Sequence, residues 1–390
     1  MALGALTAIG PLCIDAYLPG LPFLTRELHS NASLVQVTIT ACLFGLAAGQ
    51  LVAGPLSDAL GRRPPLVVGM VLFTIASGLC AAAPSVEVLI ILRAIQGFTG
   101  AAGIVIARAI IRDRFSGSAI AHYFALLTLV NGVAPVVAPV FGAQVLRITS
   151  WRGIFLALAA VGVVLSVLAV RQTETLPPSR RRRGGLSASL AVMRRLAGDR
   201  VFVGYTLANG FVLGAMFAYI SGSAYVLQEI YGLTPQLFSG LFALNAVGIM
   251  AASRVASLLA GRVPLRRLLA AGLTESALGG IVVLVSVLLH LGLPALLPGL
   301  FLVVSSVGLV MPTTMSLALA DHGDNAGAAS GALGLAQFLI GGAVAPLVGL
   351  SGGRSALLMA ILIAALGISG GVICILLTGR HGALQAGVIP

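Results

Sequence analysis

Two charged side chains lie inside strongly apolar stretches of this sequence. Asp15 lies between Pro11 and Pro19, and Arg93 lies in the run Leu92-Arg93-Ala94-Ile95-Gln96-Gly97. A charge at the centre of a membrane-spanning helix costs roughly 2.5–3.5 kcal/mol on insertion scales, so it usually faces a wet cavity or a partner. Asp15 could therefore carry a proton, and Arg93 needs a carboxylate, a backbone carbonyl or a bound molecule.

Asp15 is the expected partner of Arg93, because no other acid is predicted so deep in the first half of the chain. Protonation of Asp15 would then change the packing around the arginine. Two structural explanations stay open: Asp15 could end a helix and meet water from outside, and the pair could be a static ion pair. Glu275 is expected nearer the inner surface and Asp321 at the end of a span, so neither is assigned to proton coupling.

A third group of polar residues forms a tight turn, Gly54-Pro55-Leu56-Ser57-Asp58-Ala59-Leu60-Gly61-Arg62-Arg63. Asp58 is expected to cap a neighbouring helix or to pair with an arginine such as Arg108 or Arg112. Gly54 is expected to permit close helix contact. A gating latch and a structural staple both fit this turn, and no contact with substrate is expected.

Polar and aromatic residues deep in other apolar stretches are candidates for the lining of a substrate cavity. They are Tyr17, Asn131, Asn209, Phe217, Tyr219, Asn245 and Gln337. Helix–helix hydrogen bonding and ordinary packing would explain each of them as well. Because charge is sparse among them, neutral or weakly cationic amphiphilic substrates are favoured.

The composition excludes an ordinary soluble enzyme. Of the 390 residues, 58% are hydrophobic and only 9% are charged, whereas soluble domains carry about 25% charged residues. The sequence contains no Gly-x-x-x-x-Gly-Lys phosphate loop, which argues against an ATP-driven pump. It also has no cluster of His, Cys and Glu, so neither cofactor nor metal is expected, and an ion gradient is the expected energy source.

The apolar stretches predict about twelve membrane-spanning helices, each of roughly 20 residues or more. They are expected at 2–23, 35–57, 66–84, 87–110, 119–146, 152–170, 201–228, 236–260, 267–290, 295–320, 327–350 and 355–378. The cysteines Cys13, Cys42, Cys80 and Cys374 all fall inside these runs and are expected to be small core residues.

The distribution of arginine predicts the orientation. With the N-terminus inside, the inner loops hold 18 of the 23 basic residues, the outer loops hold four, and Arg93 lies within a span. The positive-inside rule therefore places both termini in the cytoplasm. It also explains the net charge of +12 without nucleic-acid binding. Arg180 to Arg183 are expected to anchor the topology and to be able to contact anionic lipid headgroups.

The two halves of the chain repeat each other. Gly61-Arg62-Arg63-Pro64 has a counterpart in Gly261-Arg262-Val263-Pro264, and Val133-Ala134-Pro135 has one in Val344-Ala345-Pro346. An internal repeat of six spans is typical of secondary transporters. We therefore expect a six-helix bundle over 1–170, a cytoplasmic linker over 171–200, a second bundle over 201–378 and a cytoplasmic tail over 379–390.

These motifs resemble those of the major facilitator superfamily. The turn with Gly54, Asp58, Gly61, Arg62 and Arg63 is similar to the family signature between helices two and three. The fourth-span motif contains Arg93, Gln96, Gly97 and Gly100, and the fifth-span "antiporter" motif contains Pro135, Pro139 and Gly142. The resemblance implies an all-α fold of two six-helix bundles that works by alternating access.

Within that superfamily, the chain is similar to the bicyclomycin/chloramphenicol-type resistance exporters, the Bcr/CflA group. The similar segments are Asp15 to Pro22, Ile106 to Asp113, Trp151 to Phe155 and Tyr231 to Ser239. The resemblance implies a proton/drug antiporter of the bacterial cytoplasmic membrane. Asp15 would take up a proton outside and release it inside, and Arg93 would modulate its proton affinity.

The implied partners are a small-molecule drug, protons and membrane lipids, and a monomer is expected. Two other functions stay open. The chain could be a proton-coupled transporter of a native metabolite, such as a sugar, a nucleoside or a biosynthetic product. It could also be a membrane sensor that transports nothing, which is disfavoured because no soluble signalling domain is attached.

Overall fold

The structure is a computed structural model that describes residues 2–115, 118–181, 191, 193–320, 326–350 and 355–385. Helices dominate these ranges, and the one β-type contact within them is an isolated bridge between Ala260 and Val263. Arg182 and Arg183 of the predicted linker, and Asp321, lie outside the described residues.

The first predicted span is broken into short pieces. Helix α1 covers Ala2–Thr7, helix α2 covers Ile9–Asp15, a 3-10 turn covers Leu18–Gly20, and helix α3 covers Leu21–Glu27. Each of the last three pieces has a proline near its start, where the missing N–H costs little. The prediction of a continuous helix over 2–23 is therefore wrong, because the prolines end one piece and begin the next.

Eleven long helices in the described part of the chain are apolar enough to cross a bilayer. They are α4 (Ala32–Leu60), α5 (Arg63–Ala81), α6 (Val86–Arg114), α7 (Ser118–Ile148), α8 (Trp151–Val170), α9 (Arg200–Tyr225), α10 (Pro235–Leu259), α11 (Leu265–Leu288), α12 (Leu293–Leu319), α13 (Ala326–Gly349) and α14 (Leu357–Gln385). A π-helical turn, Val226–Ile230, continues α9. The predicted fold class, an all-α membrane protein, is confirmed.

The chain divides into two compact units. The first contains 1–188 together with 223–243, and the second contains 189–222 together with 244–390. Both boundaries around 223–243 fall inside long helices, α9 and α10. The six-plus-six division of the helices stays a prediction.

Side-chain caps and glycines fix the first unit locally. Asn31 accepts a hydrogen bond from the backbone N–H of Leu34 at the start of α4, at 2.8 Å, and Ser85 caps the start of α6. Capping side chains of this kind satisfy backbone donors that the first turn leaves free. Helices α4 and α6 then pack backbone to backbone, because a β-carbon at Gly45 would collide with α6. This close contact fixes the position of α6 relative to α4, and with it the position of Arg93 in the first unit.

Candidate functional site

Arg93 is fully buried in α6 and is surrounded by aromatic rings. The carbon atom of its guanidinium lies 4.4 Å from the ring centroid of Tyr17 and 5.6 Å from that of Phe155. Its Nη1 donates a hydrogen bond to Oε1 of Gln96. Cation–π contacts reach about 2 kcal/mol or more when both groups are desolvated. The rings therefore supply much of the stabilisation that an ion pair would otherwise provide.

The predicted ion pair between Asp15 and Arg93 is not formed. Asp15 is buried at the end of α2, but the four ion pairs within the described ranges include neither residue. The chain turns after α2, and this turn brings Tyr17, not Asp15, against the guanidinium. The Nε and Nη2 atoms of Arg93 have no hydrogen-bond partner among the described residues. The roles of both charges in proton coupling stay predictions.

A buried polar network joins the Arg93 site to two neighbouring helices, α4 and α5. Gln96 donates to Oγ of Ser77 in α5 at 2.8 Å. The hydroxyl oxygen of Tyr17 lies 2.9 Å from Oγ1 of Thr38 in α4. Because these bonds are made by groups with almost no solvent exposure, they orient Gln96 and Tyr17 firmly around the arginine.

Arg62 is the centre of the predicted turn. Its Nη1 lies 2.5 Å from Oδ1 of Asp58, and its Nε lies 2.8 Å from Oδ2 of Asp113 at the end of α6. Gly61 has a φ of +97°, a conformation that favours glycine, and it turns the chain so that Arg62 can reach back. Burial would lower the pKa of Arg62, but the two carboxylates outweigh it and raise that pKa.

Asp58 is paired with an arginine, as predicted, but the two arginines named in that prediction are not its partner. Asp58 pairs with Arg62, four residues later, while Arg108 and Arg112 are exposed on α6. Arg62 is four residues from Asp58, so the two side chains can meet without a contact between two helices. This explains why Asp58 pairs with Arg62 and not with an arginine of α6. Arg63 points elsewhere, since its Nη2 donates to the carbonyl oxygen of Val170 at 2.8 Å.

Glu174 completes this turn and was missed by the sequence reasoning. Its carboxylate accepts hydrogen bonds from the backbone N–H groups of Arg62, Arg63, Thr175 and Leu176. Burial tends to raise the pKa of Glu174, but these four donors lower it overall. The sequence carries no signal for this role, because two of the four donors, Arg62 and Arg63, lie more than a hundred residues away along the chain.

The glycines of the predicted motifs differ in their surroundings. A β-carbon at Gly97 would collide with the carbonyl oxygen of Cys42 in α4, and one at Gly100 would lie 3.2 Å from the ring of Phe73. At Gly54, by contrast, the nearest atom would be Cγ1 of Val105 at 3.7 Å, an ordinary contact. The close helix contact expected at Gly54 is therefore made at Gly97 instead.

The fifth-span motif packs against the broken first span and the start of α10. A β-carbon at Gly142 would collide with the carbonyl oxygen of Ala16. Pro139 is buried, and its carbonyl oxygen accepts a hydrogen bond from Ser239 at 3.0 Å, while Pro135 is half-buried. All of these residues belong to the first unit.

Several cavity candidates form helix–helix hydrogen bonds. Asn131 donates to Oγ1 of Thr7 at 3.2 Å. In the second unit, Asn245 donates to the hydroxyl oxygen of Tyr219 at 2.9 Å, and Asn209 accepts from Thr314 at 3.4 Å.

The remaining candidates do not form a cluster. Phe217 is buried against Gly341, so that a β-carbon on this glycine would collide with the ring. Gln337 is half-buried on α13. Tyr17, already described, contacts Arg93. A role for these residues in substrate binding therefore stays a prediction.

An open cavity of about 540 Å³ lies in the first unit, away from Arg93. It is lined by Arg26, Glu27, Trp151 and Gln236 among others. Arg26 is paired with Glu229 at 2.8 Å, and Glu27 accepts hydrogen bonds from Trp151 and Arg152. Sequence reasoning missed this cluster, because each charge looked like an ordinary loop residue.

Glu275 lies well inside helix α11, somewhat nearer the end that is predicted to face the cytoplasm. It comes ten residues after Leu265, the first residue of the 24-residue helix α11. Oγ of Ser305, in the middle of α12, lies 2.6 Å from its Oε1. Glu275 is therefore ten residues from the end predicted to face the cytoplasm and thirteen from the other end, and its depth in the membrane stays a prediction.

Comparison with known proteins gives a consistent result. The chain is 41% identical to the uncharacterized MFS-type transporter YdgK of Bacillus subtilis over 352 residues, which cover 90% of this chain and 88% of that protein. It is 28% identical to a bicyclomycin resistance protein homolog of Haemophilus influenzae, with 89% and 88% covered. This similarity confirms the predicted resemblance to that group of proteins.

The fold has solved counterparts at low sequence identity. The structure matches a crystal structure of a D-xylose–proton symporter with a TM-score of 0.72, at 15% identity, covering 96% of this chain and 95% of the other. The sequence itself matches the model of the Major Facilitator Superfamily over residues 3–346. This multi-span membrane protein is therefore a transporter that belongs to the Major Facilitator Superfamily.

Proposed function

We propose that this transporter exports small amphiphilic drugs across the bacterial cytoplasmic membrane in exchange for protons. The observation that carries the proposal is the buried pair of uncompensated charges, Asp15 and Arg93, in a chain similar to a bicyclomycin resistance protein homolog. A carboxyl group held away from water between apolar helices is suited to binding and releasing one proton.

In this mechanism Asp15 takes up a proton on the outer side and releases it on the inner side. Arg93 modulates its proton affinity through space, because no ion pair ties the two side chains together in the described structure. The Nε and Nη2 atoms of Arg93 remain available for a carboxylate or carbonyl oxygen in another conformation. Breaks at the prolines of the first span permit Asp15 to move relative to α6.

The proton gradient is the proposed energy source, and no cofactor takes part. In this proposal both termini are on the cytoplasmic side, where the arginines of the linker can bind anionic lipid headgroups. The transport unit is a single chain that alternates between inward and outward access.

A growth assay tests the substrate class. The chain is expressed in a bacterium that lacks its major exporters, and growth is measured on a panel containing bicyclomycin and amphenicols. Protection against at least one compound is the expected result. Protection against none, together with uptake of a sugar or a nucleoside into vesicles, would support a metabolite transporter instead.

Reconstituted transport tests the proton carrier. In proteoliposomes with an imposed pH gradient, wild-type protein is expected to move a protective drug against its concentration gradient, and Asp15→Asn is expected to lose this coupling. Glu87→Gln is the matched control, because it removes a carboxylate that is exposed at the start of α6. Coupled flux by Asp15→Asn at the wild-type level would show that Asp15 is not the carrier.

A further inference from the structure

Glu275 is a half-buried acid near the middle of helix α11, and the proposed cycle does not use it. At 1.5 Å per residue, it lies about 15 Å from the start of α11 and about 20 Å from its end. A glutamate side chain is much shorter than either distance, so it cannot bring its carboxyl group to the water at either end of the helix. Acids at this depth are rare in membrane helices and usually mark a functional site.

No cation neutralises Glu275 in the described part of the chain. Helix α12, which carries its hydrogen-bonding partner, contains no charged residue. Helix α14 carries none among its described side chains, 357–378, and α10 carries only Arg254, which is exposed. On α11 itself, Arg266 and Arg267 come more than two helical turns before the acid. An ionised carboxylate left without a partner in such surroundings is strongly disfavoured.

The seam between α11 and α12 is narrow around this acid. A β-carbon at Gly272 would lie 2.8 Å from Val310, and one at Gly279 would lie 2.7 Å from the backbone nitrogen of Val303. These two glycines come one turn before and one turn after Glu275. They bring the two helix backbones together, so that the carboxyl group is held against Ser305.

The position of Ser305 suits a protonated carboxyl group. Its Oγ lies 2.6 Å from Oε1 of Glu275 and 2.7 Å from the carbonyl oxygen of Phe301. A serine hydroxyl has only one hydrogen to give. If Glu275 is protonated, its own O–H can donate to Oγ of Ser305, and Ser305 can donate to Phe301, so that every hydrogen has an acceptor. If Glu275 is ionised, the single hydroxyl hydrogen of Ser305 must point at the carboxylate and therefore away from the carbonyl oxygen of Phe301.

We propose that Glu275 and Ser305 form a second proton-binding site, in a different unit from Asp15, which holds its proton in the conformation described and releases it during the transport cycle. Its ligand is a proton, bound as the carboxyl O–H and hydrogen-bonded to Ser305. The release step rests on the proposed function, whereas the bound proton can be observed without any transport.

Infrared spectroscopy tests the bound proton. Purified full-length Asp15→Asn and Asp15→Asn/Glu275→Gln proteins are compared at neutral pH in lipid nanodiscs. The stretching band of a protonated carboxyl group is expected in the first and is lost in the second. Ser305→Ala is expected to keep the band and to shift its frequency, because the hydrogen bond is gone. Identical spectra with and without Glu275 would overturn the proposal.

Chemical labelling of the wild-type chain gives a test that needs no variant. Dicyclohexylcarbodiimide is an apolar reagent that modifies protonated carboxyl groups within membranes. Mass spectrometry is expected to find the adduct on the peptide that contains Glu275 and not on Glu174, whose carboxylate binds backbone N–H groups and has a lowered pKa. An unmodified Glu275 would count against the bound proton.

Transport stoichiometry tests the release of this proton. In proteoliposomes, Glu275→Gln is expected to carry fewer protons per drug molecule than wild type. The ratio is obtained from the drug concentration gradient that a given pH gradient can balance. An unchanged ratio would show that the proton stays bound throughout the cycle. If no drug moves at all in wild type, the proposed function fails, while the infrared and labelling results still decide whether Glu275 binds a proton.

Discussion

The surroundings of Arg93 explain how a charge is kept inside an apolar helix bundle. Among the described residues, two aromatic rings and one amide contact the guanidinium, and no carboxylate does. An ion pair would have fixed the charge, because breaking a buried pair typically costs 3–5 kcal/mol. Ring contacts hold the side chain in place but leave its charge uncompensated. Arg93 can therefore change partner at lower cost when the local structure changes.

Two glycines of the predicted motifs should respond differently to the same substitution. Gly97→Ala is expected to lower the free energy of unfolding by about 1–3 kcal/mol, because the new methyl group meets the carbonyl of Cys42. Gly54→Ala is the matched control and is expected to be neutral or to stabilise by up to about 1 kcal/mol, since the methyl group has room and alanine favours the helix.

Thermal unfolding of both variants in detergent measures this difference. A Gly97→Ala protein that unfolds at the same temperature as Gly54→Ala would contradict the tight contact between α4 and α6.

The position of a buried charge could be predicted from sequence, but its partner could not. Arg93 stood out because arginine is costly in an apolar run. A count of charges pairs Arg93 with Asp15, because such a count takes no account of aromatic rings and amides. The actual contact depends on the turn after Asp15, which brings Tyr17 to the guanidinium. Similarly, Glu174 binds backbone groups, which have no side-chain signature.

At the scale of elements, the turn between α4 and α5 depends on a distant acid. Glu174 accepts two backbone hydrogen bonds there, from Arg62 and Arg63, and two more within its own segment. Glu174→Gln is expected to lower the free energy of unfolding by about 0.5–1 kcal/mol at neutral pH, a small value because the side chain is exposed.

The effect of Glu174 should depend on pH. Because folding lowers the pKa of this group, its stabilisation is complete above the unfolded pKa of about 4.3 and is lost as the pH falls through the folded value. Thermal unfolding of wild type and Glu174→Gln is therefore expected to differ at neutral pH and to converge in acid. A difference that grows in acid would contradict this assignment.

The long helices were predictable because a span must be long and apolar, and eleven of the predicted spans correspond to helices with ends within a few residues at most termini. The first span was not predictable in detail. Proline shows where a helix can be interrupted, but not whether neighbours will satisfy the freed backbone groups. In this chain α4, α6 and α7 surround the pieces, and only the tertiary structure shows that.

At the scale of the whole molecule, the arginine distribution predicts which ends of the helices face the cytoplasm. Ser150, before α8, and Ser179, in the linker, are both exposed and are expected on opposite sides. In intact cells, a membrane-impermeant maleimide is expected to label Ser150→Cys and to leave Ser179→Cys unlabelled until the cells are opened.

The four native cysteines are buried, so the unsubstituted chain is expected to react little with the maleimide. Its labelling is measured as the control. Labelling of Ser179→Cys in intact cells, with Ser150→Cys protected, would invert the proposed orientation.

The segment 223–243 belongs to the first unit although it is made much later than the rest of it. Its side chains reach back to carbonyl groups of α7, where Ser239 binds Pro139 and Gln236 binds Ala143. The ribosome must add 55 residues after 188 before residue 243 exists. At about 5–20 residues per second this takes roughly 3–11 s. During those seconds the first unit lacks the contacts made by 223–243. Its assembly therefore depends on the rate of synthesis as well as on the contacts themselves.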